Sequence, residues 1–320
     1  MKNCLRLIAL CCLIIGFGFE VQSQGLDFSQ IQSSDFEISY KRKEDNSIDF
    51  NFKKNLYGSF FVSIKFDKLE NAKQYICHKS ISGVQGRIFN LRAIESLKKI
   101  TFSYSYRYIR GKYSPRLKKD FVYLLPYKCN TKVDVQTLGN LDEKMSNEGP
   151  DSWKSFQFST EESEPILAVR RGLVVEVVDK YKVDTTKDYI FNRSVNKVLI
   201  EHKDGTLARY TGFKGGSIKV KAGQYVYPQE ELGYSGKYDA EKGYQLHFCI
   251  YYLNTSNIRK FNSLEVKKNM YAYLNPRFHW KGGESIILPR NDYVAESTEE
   301  LIMQEFSRRE KKKYLKGELN

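Results

Sequence analysis

Residues 196–213 read "NKVLIEHKDGTLARYTGF", and their pattern decides the fold. Val198, Leu199 and Ile200 form an apolar run of strand length, and a second run follows from Leu207. Between them Asp204-Gly205 is a strong hairpin signal, because the favoured two-residue turn needs a positive φ that Asp and Gly tolerate. The unit is therefore strand–turn–strand. Upstream, "PILAVRRGLVVEVVDKY" (165–181) gives two β runs around Gly172. Downstream, "SIKVKAGQYVYPQEELGYSG" (217–236) gives another strand with an Ala-Gly turn. The last run, "YQLHFCIYYL" (244–253), alternates: His247, Cys249 and Tyr251 face one way, Phe248, Ile250 and Tyr252 the other. No helical period of useful length interrupts these pieces, so residues 126–280 are expected to be nearly all β.

The N-terminal third has the same character. "FEISY" (36–40), "SIDFNF" (47–52) and "SFFVSIKF" (59–66) are strands separated by polar turns, and "LRAIESLKK" (91–99) is a candidate short helix. In "KITFSYSYRYI" (99–109) Ile100, Phe102, Tyr104, Tyr106 and Tyr108 share one face. The aromatic content (23 Tyr, 20 Phe) suits β structure. Short strands at this spacing predict an Ig-like β-sandwich over residues 24–125. The tyrosine stripe, next to "RGKYSPRLKK" (110–119), has two open readings: a platform for stacking sugars, or a core face whose hydroxyls reach the rim. Residues 123–153 lose periodicity and read as a linker or long loop.

Lys2 and Arg6 precede an apolar run from Leu7 to Phe19, and Val21-Gln22-Ser23 supplies a small residue before Gln24. Residues 1–23 therefore read as a signal peptide, too short in its apolar part for a spanning helix. Leu10 before Cys11 is bulkier than lipidation sites accept. The expectation is an exported protein, periplasmic or at the surface of a bacterium. Those 23 residues carry two basic groups and one acid, leaving the rest at +13 of the chain's +14. Such a surface attracts anionic glycans, peptidoglycan carboxylates or lipid headgroups, or simply keeps the protein soluble. Cys77, Cys129 and Cys249 remain. A Cys77–Cys129 bridge and buried free thiols are both open, and no Cys-x-x-Cys pair exists for zinc or redox work. At the C-terminus, residues 281–320 form a charged tail. There "STEELIMQEFSRREKKKYLKGELN" opens with a capping box from Ser297 to Glu300 and predicts a helix, packed on a domain or docking a partner.

Taken in order, "PILAVRRGLVVEV", "NKVLIEHKDGTLARYTGF", "IKVKAGQYV…LGYSG" and "QLHF" resemble the lysostaphin- or LytM-type zinc endopeptidases of peptidoglycan. The likeness covers roughly residues 123–253. It implies a barrel-like β-sheet core with a zinc groove over residues 126–280, behind an extra β domain. The family's zinc ligands are a histidine and an aspartate in a loop before the "PILA"-like strand, plus the second histidine of a His-x-His strand. Two further histidines handle protons and the oxyanion. By this resemblance "MSNEGPDSWKSFQFS" (145–159) is the first-ligand loop, with Asn147 in place of histidine and Gln157 in place of aspartate. Gly212 replaces the hairpin histidine, Gln245 replaces the first histidine of the last strand, and only His247 survives.

The chemistry of the substitutions is adverse to catalysis. Zinc needs at least three good protein donors, whereas Asn and Gln amides are weak, neutral ones. Without the metal, no bound water is acidified to serve as nucleophile, and Gly212 has no side chain to move a proton. The expectation is a pseudo-peptidase with no cofactor. Its groove, lined by Asn147, Gln157, Gly212, Gln245 and His247, binds peptidoglycan or regulates a cell-wall hydrolase. Two rivals stay open. One is an active zinc enzyme rewired through Glu148, Asp151, Asp239 or Glu241 around His247. The other is a purely structural envelope protein. Of the other histidines, His202 matches a structural position of the family, and His279 is a packing residue beside Trp280.

Overall fold

The computed structural model describes residues 35–138, 154–182, 195–237, 243–254, 270–286 and 291–318. The signal segment, Asn147, Glu148, Asp151, Asp239 and Glu241 lie outside the described residues.

Six strands form the first module: β1 (Phe36–Arg42), β2 (Ile48–Lys54), β3 (Phe60–Glu70), β4 (Ile76–Ile81), β5 (Gln85–Leu91) and β6 (Thr101–Arg110). They make two three-stranded sheets, in the orders β1-β2-β5 and β4-β3-β6. Ile48, Phe50 and Phe52 alternate inward along β2, and Phe60, Val62, Ile64 and Phe66 do so along β3. Their side chains meet in one core. The tyrosine stripe serves that core: Phe102, Tyr104 and Tyr108 pack against it, and Tyr108 stacks on Phe36 at 4.0 Å. Tyr106 alone of the stripe stays largely exposed. The helix expected over 91–99 is absent. Leu91 ends β5 and the following residues form turns, tied back by bonds from Asn71 to the Glu95 and Lys98 carbonyls. Leu97 is almost fully exposed, so this stretch has no apolar face to bury and no reason to complete a helix.

The second module contains β7 (Val122–Leu124), β8 (Lys132–Leu138), β9 (Ser155–Thr160), β10 (Pro165–Leu167), β11 (Gly172–Val178), β12 (Lys197–Glu201), β13 (Leu207–Thr211), β14 (Tyr225–Val226), β15 (Glu231–Tyr234) and β16 (Tyr244–Leu253). The chain then adds β17 (Tyr271–Tyr273), β18 (Arg277–Trp280), β19 (Gly283–Ile286) and β20 (Asn291–Val294). A nine-stranded sheet runs β14-β11-β12-β13-β16-β9-β8-β20, with β17 also paired to β16. The β12–β13 hairpin forms as the Asp204-Gly205 signal requires. Asp204 accepts from the Thr206 amide at 3.0 Å, and Gly205 takes φ +94°. Part of the expected linker is a strand instead. In "KVDVQTL" (132–138) Val133 and Val135 enter the core while Asp134 and Gln136 face outward, a period of two that pairs with β9.

One face of the large sheet is apolar. Val135, Phe156, Phe158, Val198, Ile200, Ala208, Tyr210, Leu246, Phe248 and Ile250 project into a core shared with Phe278. On the opposite face Leu199, Leu207, Cys249, Tyr251 and Leu253 gather around Phe61 of the first module and Met270, Tyr271 and Tyr273. The first module thus sits on part of this second face. Polar groups fix the seat. Ser59 donates both its amide (2.6 Å) and its hydroxyl (2.5 Å) to the buried Glu201 carboxylate. Gly58 (φ +82°) lies so close that a Cβ there would come within 2.5 Å of Val175 Cγ1.

The C-terminal helix is split and its caps differ from expectation. The first, α1 (Glu299–Ile302), is capped by Thr298 rather than Ser297. The second, α2 (Arg308–Tyr314), carries the capping box, formed by Ser307 and Glu310. Ile302 and Phe306 pack beside Leu124. Two helices of one or two turns are held by such packing and by side-chain bonds, not by their own propensity. The three cysteines are unbridged: Cys77 and Cys249 are buried, and Cys129 lies exposed beside Ser297 at 3.1 Å.

Candidate functional site

On the second face of the sheet, strand register sets the expected positions side by side. His247 on β16 stands opposite Gln157 on β9 and opposite Thr211 on β13. Gln136 on β8 continues the row beyond Gln157, and Lys197 on β12 continues it beyond Thr211. Directly opposed residues in an antiparallel sheet share a face, with Cβ atoms about 5 Å apart. The row Gln136–Gln157–His247–Thr211–Lys197 is therefore continuous across five strands. Gln245, one pair along on β16, is buried and faces Ser159. Three of the sequence-predicted residues, Gln157, Gln245 and His247, thus come together; Asn147 is outside the described residues.

Gly212 lies at the rim of the row, where β13 leaves the sheet. Its φ is +113°, and a Cβ there would approach the Gln245 carbonyl oxygen to 2.6 Å. Its carbonyl accepts from Gly236, and its amide donates to the Asn196 carbonyl at 3.1 Å. The backbone contact between positions 212 and 245 leaves no room for any side chain at 212. A histidine there would need both a strained conformation and displacement of β16.

The electrostatics of the row are as telling as its composition. Burial, with the Arg209 charge adding, pulls the His247 pKa down to about 4, so the ring is neutral near pH 7. Arg209 also bonds Cys249, two residues along the same strand as His247. Among the described residues, the carboxylates nearest in register are remote or engaged. Asp134 lies two strands away and contacts Gln136 Nε2 at 3.5 Å. Glu176 is paired with Lys197 at 2.8 Å. Two strands of separation alone amount to roughly 9–10 Å. A dication at His247 would thus meet one imidazole, neutral amides and hydroxyls, and a nearby guanidinium. No group of three His, Cys, Asp or Glu converges among the described residues. This donor set does not fit zinc.

His202 has a different task. Its ring is buried, with Nδ1 2.8 Å from the Arg171 carbonyl, and burial together with Arg170 lowers its pKa to about 4. It pins the hairpin base to the β10–β11 connection. His279, beside Trp280, bonds Glu296 at 3.1 Å.

A second polar cluster escaped the sequence reading. Arg170, fully buried, is paired with Asp204 (2.9 Å) and Glu305 (2.8 Å), donates to the Tyr123 hydroxyl oxygen (3.1 Å), and lies 3.9 Å above the Phe121 ring. Arg171 next to it is paired with Glu310 at 2.8 Å. The only hint in sequence is "RRG" inside an otherwise apolar β run, since a buried arginine requires acidic partners. The missed row members Gln136 and Thr211, and the neighbouring Arg209, were legible in the alternation of "KVDVQTL" and "LARYT".

Comparison with known proteins finds a family match within the second module. Residues 151–260 match Peptidase family M23, and this segment is a LytM-type M23 domain. The match begins after Asn147. Among solved structures, the chain is similar to the SpoIIQ–SpoIIIAH pore-forming complex (17% identity, 41% of this chain and 83% of that one, TM-score 0.28). It is also similar to Csd3 of Helicobacter pylori (12% identity, 88% and 77%, TM-score 0.28). A third is a zinc-containing peptidase from Vibrio cholerae (13% identity, 68% and 75%, TM-score 0.24). No curated protein matches the chain.

Proposed function

We propose that this chain is an exported pseudo-peptidase: it keeps the M23 groove but uses it for binding, without zinc and without hydrolysis. The observation that carries the reading is the row Gln136–Gln157–His247–Thr211. These four positions are neutral, are flanked by Arg209 and by the Lys197–Glu176 pair, and have at their rim a glycine with no space for a proton-carrying side chain. Amides and hydroxyls aligned across strands can donate to peptide carbonyls and accept from peptide amides. That chemistry suits the peptide part of peptidoglycan, or an extended segment of a cell-wall hydrolase held in a scaffold. The +13 charge left beyond residue 23 favours anionic wall material. Export rests on the reading of residues 1–23; no helix among the described residues is long and apolar enough to cross a membrane.

The experiment is sedimentation of the purified protein with isolated sacculi, run beside a muropeptide digest. The reading expects co-sedimentation that weakens in Gln157→Ala and Thr211→Val, with unchanged muropeptides after long incubation. Released muropeptides would favour a rewired enzyme. Protein that stays in the supernatant and binds no hydrolase would favour a purely structural envelope role.

A further inference from the structure

The C-terminal segment separates its charges by face. Its inner acids are consumed in structure. Glu305 pairs with Arg170 and Lys118, while Glu310 pairs with Arg171 and closes the Ser307 capping box. Both carboxyl pKa values fall to about 2, where burial opposes but bonds to arginine, lysine or Ser307 prevail. Ile302, Phe306 and Tyr314 complete the inner side. Arg308, Arg309, Lys311, Lys312 and Lys316 are exposed, and so is Leu315, which keeps 63% of its surface.

At about 100° per residue, carried past the end of α2 through its C-cap Leu315 and Lys316, these six outward residues fall in a single arc of roughly 160°. Leu315 lies inside that arc, between Arg308 on one side and Lys311 on the other. The exposed acids of the segment, Glu299, Glu300 and Glu318, lie beyond the ends of α2. The result is a convex, rigidly mounted surface of five cations around one exposed leucine.

We infer that α2 is a docking surface for an anionic phospholipid bilayer, independent of the His247 groove. The charge complements lipid phosphates, and clustered Lys/Arg on a helix face is attracted to an anionic leaflet. The leucine chooses between anionic partners. A polyanion in water offers nothing for an exposed apolar side chain among the cations, whereas a bilayer lets it enter the headgroup–acyl boundary while the lysines reach phosphate.

The test is co-sedimentation of the full protein with phosphatidylglycerol–phosphatidylcholine vesicles and with phosphatidylcholine vesicles. Binding is expected only to the anionic vesicles. Lys311→Gln/Lys312→Gln/Lys316→Gln should weaken it about 100-fold, at about fivefold per charge. Leu315→Ser should weaken it about tenfold. Both variants alter exposed side chains, and unchanged melting curves verify that they fold. A control at exposed lysines of the first module, Lys68→Gln/Lys73→Gln/Lys79→Gln, should bind like the parent. Equal loss in the control would overturn the assignment to α2. Full binding by Leu315→Ser, with tight capture of soluble polyphosphate, would replace the bilayer by a soluble polyanion. A failure here leaves the sacculus and zinc results of the groove untouched.

Discussion

Arg170 and His247 are both buried or partly buried nitrogen bases in the same β-rich module, yet their surroundings treat positive charge in opposite ways. Around Arg170, two carboxylates, a phenol and an aromatic face converge, so a full charge is held with no exposure at all. Around His247 the neighbours in register are amides and a hydroxyl, and the nearest charge acting on it is the Arg209 guanidinium. The first environment has been built for a cation. The second disfavours one, including a proton and, more strongly, a divalent metal. Among the described residues, the second module thus holds a buried cation at Arg170 and gathers no comparable set of anionic or metal-ligating groups at His247.

The largest way to break this contrast is at Arg170. Arg170→Ala leaves Asp204 and Glu305 buried and unpaired, and should cost about 3–5 kcal/mol in a denaturant melt. Replacing Arg170, Asp204 and Glu305 together by apolar residues of similar volume should recover much of that loss. If Arg170→Ala alone is neutral, the cluster is not the cation site described.

Next in size is the pH dependence of the imidazoles. The folded-state pKa of His202 is about 4, below its ordinary 6.5, so the unfolded chain binds more protons between those values. The neutral ring therefore stabilises the fold fully above pH 6.5, and that stability is lost as pH falls towards 4. The loss should be on the order of 3 kcal/mol for His202, with His247 adding in the same direction. Equilibrium melts across this window should show the slope, and His202→Gln should flatten it. A stability that rises as pH falls would contradict neutral buried rings.

Third comes Gly212. Gly212→His, which places there the residue the resemblance implies, should destabilise by about 1–3 kcal/mol and produce no hydrolysis, because its Cβ collides with β16 and φ is positive. Gain of muropeptide cleavage would break the claim that backbone geometry locks the change. The smallest effect belongs to His247→Gln. Extending a neutral amide row by one more amide should shift stability by no more than about 1 kcal/mol.

Much of this was legible in the chain. Hairpin chemistry at Asp204-Gly205 and the alternation in "YQLHFCIYYL" gave strand, turn and face correctly, since both are local signals. The weak donor character of Gln157, Gly212 and Gln245 follows from residue type, although only the strand register shows that Gln157 and His247 are direct neighbours. What was not legible depended on distant partners. The helix expected at "LRAIESLKK" lacks a surface to pack on, and the strand "KVDVQTL" was hidden by the glycine- and asparagine-rich stretch that follows it. The buried role of Arg170 needed Glu305, 135 residues away in sequence. A single capping box at Ser297 was a reasonable pattern, but two short helices formed because Phe306 packs between them against Tyr227 and Tyr314.

The central claim is most directly tested by the metal content of the protein after incubation with zinc and removal of loosely held ions. Elemental mass spectrometry of the parent and of His247→Ala gives the reading. The account predicts no tightly held zinc in either protein. About one zinc per chain in the parent, abolished by His247→Ala, would contradict it.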